Sequence, residues 1–424
     1  MKTEKNNHNS AIKNGYWLTI EPYVFIFKGK DEYILFNTLS KNVIDVDTGK
    51  DSSVVKLLEK LRNIDNLYSI ELSEHHIEDS RIQNFISHLR NGFFGDIIPK
   101  SLFNIKPVTI PPIVRIDNSI QNINKYVELQ KHNTYLGFLH ELTVYLDGYC
   151  TFNCKFCDQY YKQFIFCTKT NECFSEQDID LLLLTIQNSK ISKLNLTGGN
   201  ILIHKKLKYI LNNLKTGDIE ICLYIHYKNC LSSLMLEMSQ YENVKFHILI
   251  SDYSDEDVLY TSLSEISSIQ NTVYDFVCKQ ESDYEKIQNI IGKFNISAFN
   301  IYPFYNGNIN FFKNFVFNSK EEILDGNLSS KDIFAKQSIN IYYYGKMTIL
   351  PNKKIYADVN SRFIGYLKDN ILDLIKRTLK SNSPWFKTRD KLEICKDCAY
   401  CFLCPSPSNY EKVIGKSNLC HVKS

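Results

Sequence analysis

The chain has 424 residues, 44% hydrophobic and 23% charged, an ordinary globular balance with length for about two to four domains. Its net charge of +3 is too small to argue for nucleic acid or an anionic membrane as a partner. No apolar run reaches the roughly 18 residues of a membrane span, and the polar start from Met1 to Ser10 lacks the apolar centre of a secretory signal. Thirteen cysteines, clustered by close spacing, favour metal binding in a reducing cytoplasm over a disulfide framework.

Residues 1–14 read as a disordered polar tail. Short β-rich runs follow at Trp17 to Ile20, Tyr23 to Phe27, Tyr33 to Asn37 and Val43 to Asp47, with turn chemistry at Gly29-Lys30-Asp31 and Ser40-Lys41-Asn42. Ser52-Ser53 can cap a helix over Val54 to Leu61, and Ile82, Phe85, Ile86 and Leu89 share one face of a second helix over Asp79 to Asn91. Residues 99–138, with Pro107, Pro111 and Pro112, read as a linker with local structure.

From Glu141 to about Phe311 strands and helices alternate. The strands fall at Leu142–Leu146, Lys193–Thr197, Glu220–His226, Val244–Ile250, Val273–Cys278 and Ser297–Tyr302. Helical patterns separate them at Glu176–Asn188, Lys206–Leu214, Leu231–Gln240, Glu256–Ser268 and Tyr284–Phe294. This alternation implies parallel strands, six units being too few for a closed eightfold barrel. Chemistry in such folds gathers at the C-terminal ends of the strands.

Just after the first of these strands comes Cys150-Thr-Phe-Asn-Cys154-Lys-Phe-Cys157. Thiolates are the preferred ligands of iron–sulfur clusters, and three on a four-iron cluster leave one iron open to a small molecule. Buried small hydrophobes and part of a zinc site are the other readings of three such cysteines. The second strand runs into Thr197-Gly198-Gly199-Asn200, where glycines let backbone approach a ligand closely. His226 and Ser251 close the third and fourth strands, as ligand contacts or as hydrogen-bonded scaffold. Cys167, Cys173, Cys222, Cys230 and Cys278 have no ligand spacing and read as buried small hydrophobes.

Ile339 to Tyr344, Lys346 to Leu350 and Lys354 to Ala357 suggest a hairpin, followed by a helix from about Ile371 to Leu379. Then come Cys395, Cys398, Cys401, Cys404 and Cys420, five cysteines in 26 residues. Four thiolates at these intervals suit a fully ligated cluster or a zinc site equally.

The spacing of Cys150, Cys154 and Cys157, with Phe156 before the last, resembles the cluster motif of radical SAM enzymes. The C-terminal cysteines, with Trp385 and Arg389 ahead of them, resemble the SPASM extension of that family. The opening Tyr16-Trp-Leu-Thr-Ile-Glu-Pro looks like a Bacteroidales set of pseudo-radical-SAM/SPASM proteins from ribosomal peptide natural product systems. The resemblance covers roughly residues 16–424 and implies an α/β fold built on a partial (β/α)6 radical SAM barrel over 139–335. It also implies a winged-helix-like peptide-recognition domain over 15–98, binding a leader peptide as an added strand, and a SPASM-like auxiliary cluster domain over 336–424.

By the same resemblance, Cys150, Cys154 and Cys157 hold a [4Fe-4S] cluster with an open iron, and Thr197, Gly198, Gly199 and Asn200 contact the amino group of S-adenosyl-L-methionine. The family most often has glutamate where this chain has Asn200, so the charge assistance of that hydrogen bond is lost. His226 and Ser251 fall where the ribose and carboxylate of the cofactor sit. Cys395, Cys398, Cys404 and Cys420 fall on the ligands of one auxiliary [4Fe-4S] cluster. The family's remaining cysteine positions fall at Ser408, Asp358 and near Tyr342–Tyr343, and its hairpin glycine at Lys353, so the other auxiliary cluster is lost and Cys401 is extra.

The function implied is a cytoplasmic enzyme that cleaves S-adenosylmethionine to a 5′-deoxyadenosyl radical and modifies a ribosomally made precursor peptide. An electron donor such as flavodoxin or ferredoxin feeds it, and no catalytic residue is assigned beyond the cluster. Tyr302-Pro303-Phe304-Tyr305-Asn306 would line the peptide channel or serve as core. The alternatives are an inactive pseudo-radical-SAM iron–sulfur scaffold presenting the precursor to a partner maturase, and a zinc-stabilised binding protein.

Overall fold

The computed structural model of the chain describes residues 15–112, 133–152, 154–215, 217–379 and 382–422. The tail over 1–14 and part of the expected linker lie outside the described residues. The first strands are β1 (Tyr16–Ile20), β2 (Val24–Lys28), β3 (Glu32–Asn37) and β4 (Val43–Asp47), close to where alternating hydrophobicity puts them. β2, β3 and β4 form an antiparallel meander. β1 leaves it and pairs antiparallel with β5 (Ser69–Leu72) and β6 (Gly95–Pro99). Those two strands carry weak local signals, one being four residues long and the other bounded by glycine and proline. Helices Ser52–Arg62 and Ser80–Asn91 bury the apolar faces expected of them, and these close one core with Leu18, Leu35 and Ile70.

Six strands then run parallel, in sequence order across one sheet: β7 (Glu141–Tyr145), β8 (Lys193–Thr197), β9 (Glu220–His226), β10 (Val244–Ile250), β11 (Thr272–Cys278) and β12 (Phe299–Pro303). The helices between them bury Leu182, Ile210, Met235, Leu259 and Ile287 against one face of the sheet. The period of two in each strand sends alternate residues the other way. Leu194, Leu223 and Ile248 join the helices, whereas Cys222, Tyr224, Leu249 and Val277 face a second cluster with Tyr160, Phe166 and Phe304. Burying each such large side chain stabilises the fold by roughly 1.5–3 kcal/mol.

β13 (Lys346–Ile349) and β14 (Lys354–Tyr356) form the expected hairpin, with β15 (Gly365–Tyr366) beyond it. β13 also lies parallel to β7, so the hairpin extends the six strands to a nine-stranded, mostly parallel sheet. Ile339 to Tyr344 is a turn and not a strand. Asn340 holds it there: its Oδ1 accepts from the Tyr342 and Tyr343 amides at 2.9 and 3.2 Å, while its Nδ2 donates to the Lys387 and Pro407 carbonyls at 3.0 and 2.9 Å. Phe25, Phe27, Ile34 and Phe36 of the N-terminal meander pack against Ile333, Ala399, Tyr400 and Leu403 of the cysteine-rich C-terminal segment. Among the described residues no helix is long and apolar enough to cross a membrane.

Candidate functional site

The ends of β7 and β8 are tied together by backbone. Leu146 donates to the Thr197 carbonyl at 2.9 Å, Gly199 to that of Asp147 at 3.1 Å, and Asn200 to that of Tyr149 at 2.8 Å. Such a close approach needs glycine. A Cβ at Gly199 would lie 1.8 Å from the Tyr149 oxygen, and one at Gly198, whose φ is +156°, would lie 2.5 Å from the Asp147 oxygen.

The cysteine loop leaves from this junction with Cys150, Cys154 and Cys157 half-buried. Phe156 turns it with a φ of +68°, a left-handed conformation that costs a non-glycine residue roughly 1–3 kcal/mol and collects at functional sites. Its carbonyl accepts from the Gln159 and Tyr160 amides at 2.9 and 3.2 Å, and its ring packs on Phe304 with centroids 5.3 Å apart.

Side chains from β9, β10 and the turn after β9 surround the thiols. His226 Nε2 lies 3.9 Å from Cys154 Sγ and 3.4 Å from Ser251 Oγ. Asn229 Nδ2 lies 3.8 Å from Cys150 Sγ and 3.5 Å from the Gly199 carbonyl. The C-terminal strand ends therefore bring together the cysteine loop, the Gly-Gly stretch, His226 and Ser251. Asn229 was not foreseen, because a lone asparagine three residues past a strand end carries no sequence signal. Burial, with Lys228 nearby, depresses the pKa of His226 to about 4, so the imidazole is neutral near pH 7. Asn200 Oδ1, at the Gly-Gly turn, is sealed from solvent without a hydrogen-bond partner, as are five other buried side-chain polar atoms among the described residues.

Two of the outlying cysteines depart from the expectation of buried bystanders. Cys173 is exposed and Cys230 is half-buried. The influence of Cys167 holds the Cys157 thiol below its ordinary pKa, whereas burial raises Cys154. Cys167, Cys222 and Cys278 are buried as expected.

At the other end of the chain Cys395, Cys398, Cys401, Cys404 and Cys420 line one small pocket with Arg389, Asn318 and Leu419. Tight turns aim the first four: the Cys398 amide donates to the Cys395 carbonyl at 3.0 Å, and the Cys401 amide to that of Cys398 at 3.1 Å. An isolated bridge between Asn318 and Cys420 delivers the fifth. Arg389 is buried, with Nη2 2.6 Å from Glu411 Oε1 and Nε 2.6 Å from the Pro405 carbonyl. Burial pushes the Cys404 thiol up to about 12 against the opposing pull of Arg389, so any metal loading releases protons. Cys401 faces the same pocket as its neighbours.

Protein groups occupy the positions where the sequence resemblance would place further cysteines. Asp358 is buried against Lys412, Tyr343 Oη donates to Asn409 at 2.9 Å, and Ser408 caps the helix Asn409–Ile414 together with Glu411. Among the described residues no three His, Cys, Asp or Glu side chains close around a single ion-sized point. The all-thiol donor sets, the glycine cradle and the unpaired Asn200 oxygen fit a larger thiolate-held cluster beside a ligand that donates hydrogen bonds.

No family model and no curated protein sequence matches the chain. Solved structures do. SuiB of Streptococcus suis, bound to its precursor peptide SuiA, superposes with a TM-score of 0.50 over 95% of this chain and 97% of SuiB, at 14% identity. The chain has the fold of SuiB. Other matches include SuiB bound to S-adenosylmethionine, at a TM-score of 0.49, 13% identity and 94% and 97% coverage. They also include anSMEcpe with bound AdoMet, at 0.45, 13%, 63% and 84%. The likeness to SuiB is one of fold and spans nearly the whole of both chains.

Proposed function

We propose that the chain is a radical SAM enzyme that modifies a ribosomally made precursor peptide. The observation that carries this reading is the meeting, at the ends of β7 to β10, of three thiols, a glycine cradle and one buried, unpaired acceptor. In this reading Cys150, Cys154 and Cys157 hold a [4Fe-4S] cluster. When bound, the cluster supplies the electron that cleaves S-adenosylmethionine to methionine and a 5′-deoxyadenosyl radical.

The chain's own groups do the rest. Asn200 Oδ1 accepts from the ammonium of the methionine part, and Gly198 and Gly199 leave room for it. His226, neutral and anchored to Ser251, offers a hydrogen-bonding edge without adding charge beside the thiolates. Phe156, Tyr160 and Phe304 exclude water from the sheet face away from the helices, where a radical would otherwise be quenched. The six parallel strands act as the partial (β/α)6 barrel within residues 139–335. The unit over 15–98 takes the role of a winged-helix-like recognition domain for the leader peptide. The segment over 336–424 takes the role of a SPASM-like extension, with Cys395, Cys398, Cys404 and Cys420 holding one auxiliary [4Fe-4S] cluster and a flavodoxin or ferredoxin as the outside donor.

Anaerobically reconstituted protein with dithionite and S-adenosylmethionine should release 5′-deoxyadenosine, and Cys157→Ala should abolish it. A second reading rests on Asn200, which lacks the carboxylate that strengthens such a contact: an iron–sulfur scaffold presenting the peptide to a partner maturase. Fully loaded protein that yields no 5′-deoxyadenosine selects the scaffold.

A further inference from the structure

On the sheet face away from the helices lies a cavity of about 300 Å³ that no cysteine lines. The period of two along β7 and β13 sends Leu142, Val144, Met347 and Ile349 into the helix-side core. It turns Glu141, Thr143, Tyr145, Lys346 and Thr348 toward the cavity. Tyr224 of β9 and Tyr302 of β12 reach it from the far strands, and Tyr161, Phe164 and Tyr342 close it from the connecting segments. Phe164 stacks on Tyr302 with ring centroids 5.0 Å apart and 19° between the planes. Phe164 also meets Phe304 at 6.4 Å, and Phe304 packs on Phe156, so a row of rings stands between the cavity and the cysteine loop.

The charged groups on the cavity wall are already answered by the protein. Glu141 Oε2 lies 3.5 Å from Lys346 Nζ, and its Oε1 accepts from Asn195 Nδ2 at 2.7 Å. Lys193 Nζ lies 3.5 Å from Glu220 Oε1, and Asp358 is paired with Lys412. Lys346 and Lys412 also lie over the rings of Tyr342 and Tyr343, at 5.9 and 5.3 Å, so those faces are taken as cation sites. An ion entering the cavity would lose its hydration without gaining a free counter-charge. The hydroxyls of Tyr161, Tyr224 and Tyr302, by contrast, have no hydrogen-bond partner among the described residues and are not sealed from solvent. Aromatic walls with a few convergent polar groups are the make-up of a small-ligand pocket, and at the lower end of the usual roughly 300–1,000 Å³ this one suits a single ring. We propose that the cavity binds an uncharged aromatic side chain with one hydrogen-bonding group, a tyrosine or tryptophan of the precursor peptide. Its ring packs against those of Tyr161, Tyr224 and Tyr302, and its O–H or N–H meets their free hydroxyls. The inference rests on the proposed function for placing that ring in a precursor peptide.

The test is saturation-transfer nuclear magnetic resonance of full-length protein, reconstituted and cluster-free, titrated with N-acetyl-L-tyrosinamide. The probe should bind both forms, and N-acetyl-L-leucinamide should bind neither. Thr348→Trp, which fills the cavity from its floor, should abolish binding. The double variant Tyr224→Phe with Tyr302→Phe keeps both rings and guards against a misfolded tryptophan variant. It should erase the preference for N-acetyl-L-tyrosinamide over N-acetyl-L-phenylalaninamide, which in the parent should be roughly 3–10-fold, the worth of one hydrogen bond. Absent binding, equal binding of the leucine probe, or a preference that survives in the double variant overturns the inference. So does tighter binding of free tyrosine than of its blocked form, because that marks a small-molecule site and not a peptide one. Release of 5′-deoxyadenosine by a protein that binds no probe overturns this inference alone. Probe binding by fully loaded protein that releases none overturns the enzyme reading and leaves the cavity's assignment standing.

Discussion

His226 Nε2 sits 3.9 Å from the sulfur of Cys154, although 72 residues separate them in the chain. Burial, reinforced by Lys228 and opposed by Asp252, drives the histidine pKa from 6.5 to about 4. A neutral group whose protonation is easier in the unfolded chain supports folding above the unfolded pKa and loses that support as pH falls. Cluster-free protein should therefore lose stability between about pH 6.5 and pH 4, with His226 contributing roughly 3 kcal/mol of the fall. Urea unfolding at the two ends of that window checks it. His226→Gln, which does not titrate there, should show a smaller fall by that amount.

Gly199 has no room for a side chain. A methyl group there would sit 1.8 Å from the Tyr149 oxygen and 2.3 Å from its carbon, both backbone atoms that cannot swing aside. Gly199→Ala should destabilise the chain by on the order of 3 kcal/mol and abolish S-adenosylmethionine binding. Thermal unfolding and equilibrium dialysis read the two effects separately.

Asn200 makes the opposite prediction for stability. Its buried Oδ1 has no partner, so Asn200→Ala removes a desolvated acceptor and leaves cofactor-free stability unchanged or raised by up to about 1 kcal/mol. The same change should weaken S-adenosylmethionine binding by about 10-fold or more, the worth of one hydrogen bond to a charged donor. Asn200→Glu, which restores the charge, should strengthen it. Isothermal titration of the three proteins gives the order.

Arg389 and Glu411 form a buried pair at 2.6 Å beside the C-terminal thiols. Glu411→Gln leaves the guanidinium buried without its counter-charge, at a cost of about 3–5 kcal/mol. It should also strip the C-terminal metal: iron and sulfide per chain fall from two clusters to one, while the signal from the Cys154 loop persists. Zinc without sulfide at this site would contradict the auxiliary cluster.

The parallel strands were legible because each is a short apolar run bounded by turn residues, and the helices between them carry a different period. The cysteine loop was legible because its spacing is local. Asn229 was not, since its approach to Cys150 is set by how the strands pack, not by neighbours in sequence. Ile339 to Tyr344 reads as a strand by composition, but the four bonds of Asn340 bend it into a turn. The parallel pairing of β13 with β7 joins Lys346–Ile349 to a strand some 200 residues earlier, a contact that no local pattern announces.

The most direct measurement is the paramagnetic resonance spectrum of the reduced, reconstituted protein before and after adding S-adenosylmethionine. An iron left open by three thiolates predicts a changed spectrum on addition, lost together with the cluster in Cys154→Ala. A spectrum from the same loop that S-adenosylmethionine leaves untouched would mean that the fourth corner is already occupied, and would contradict the account.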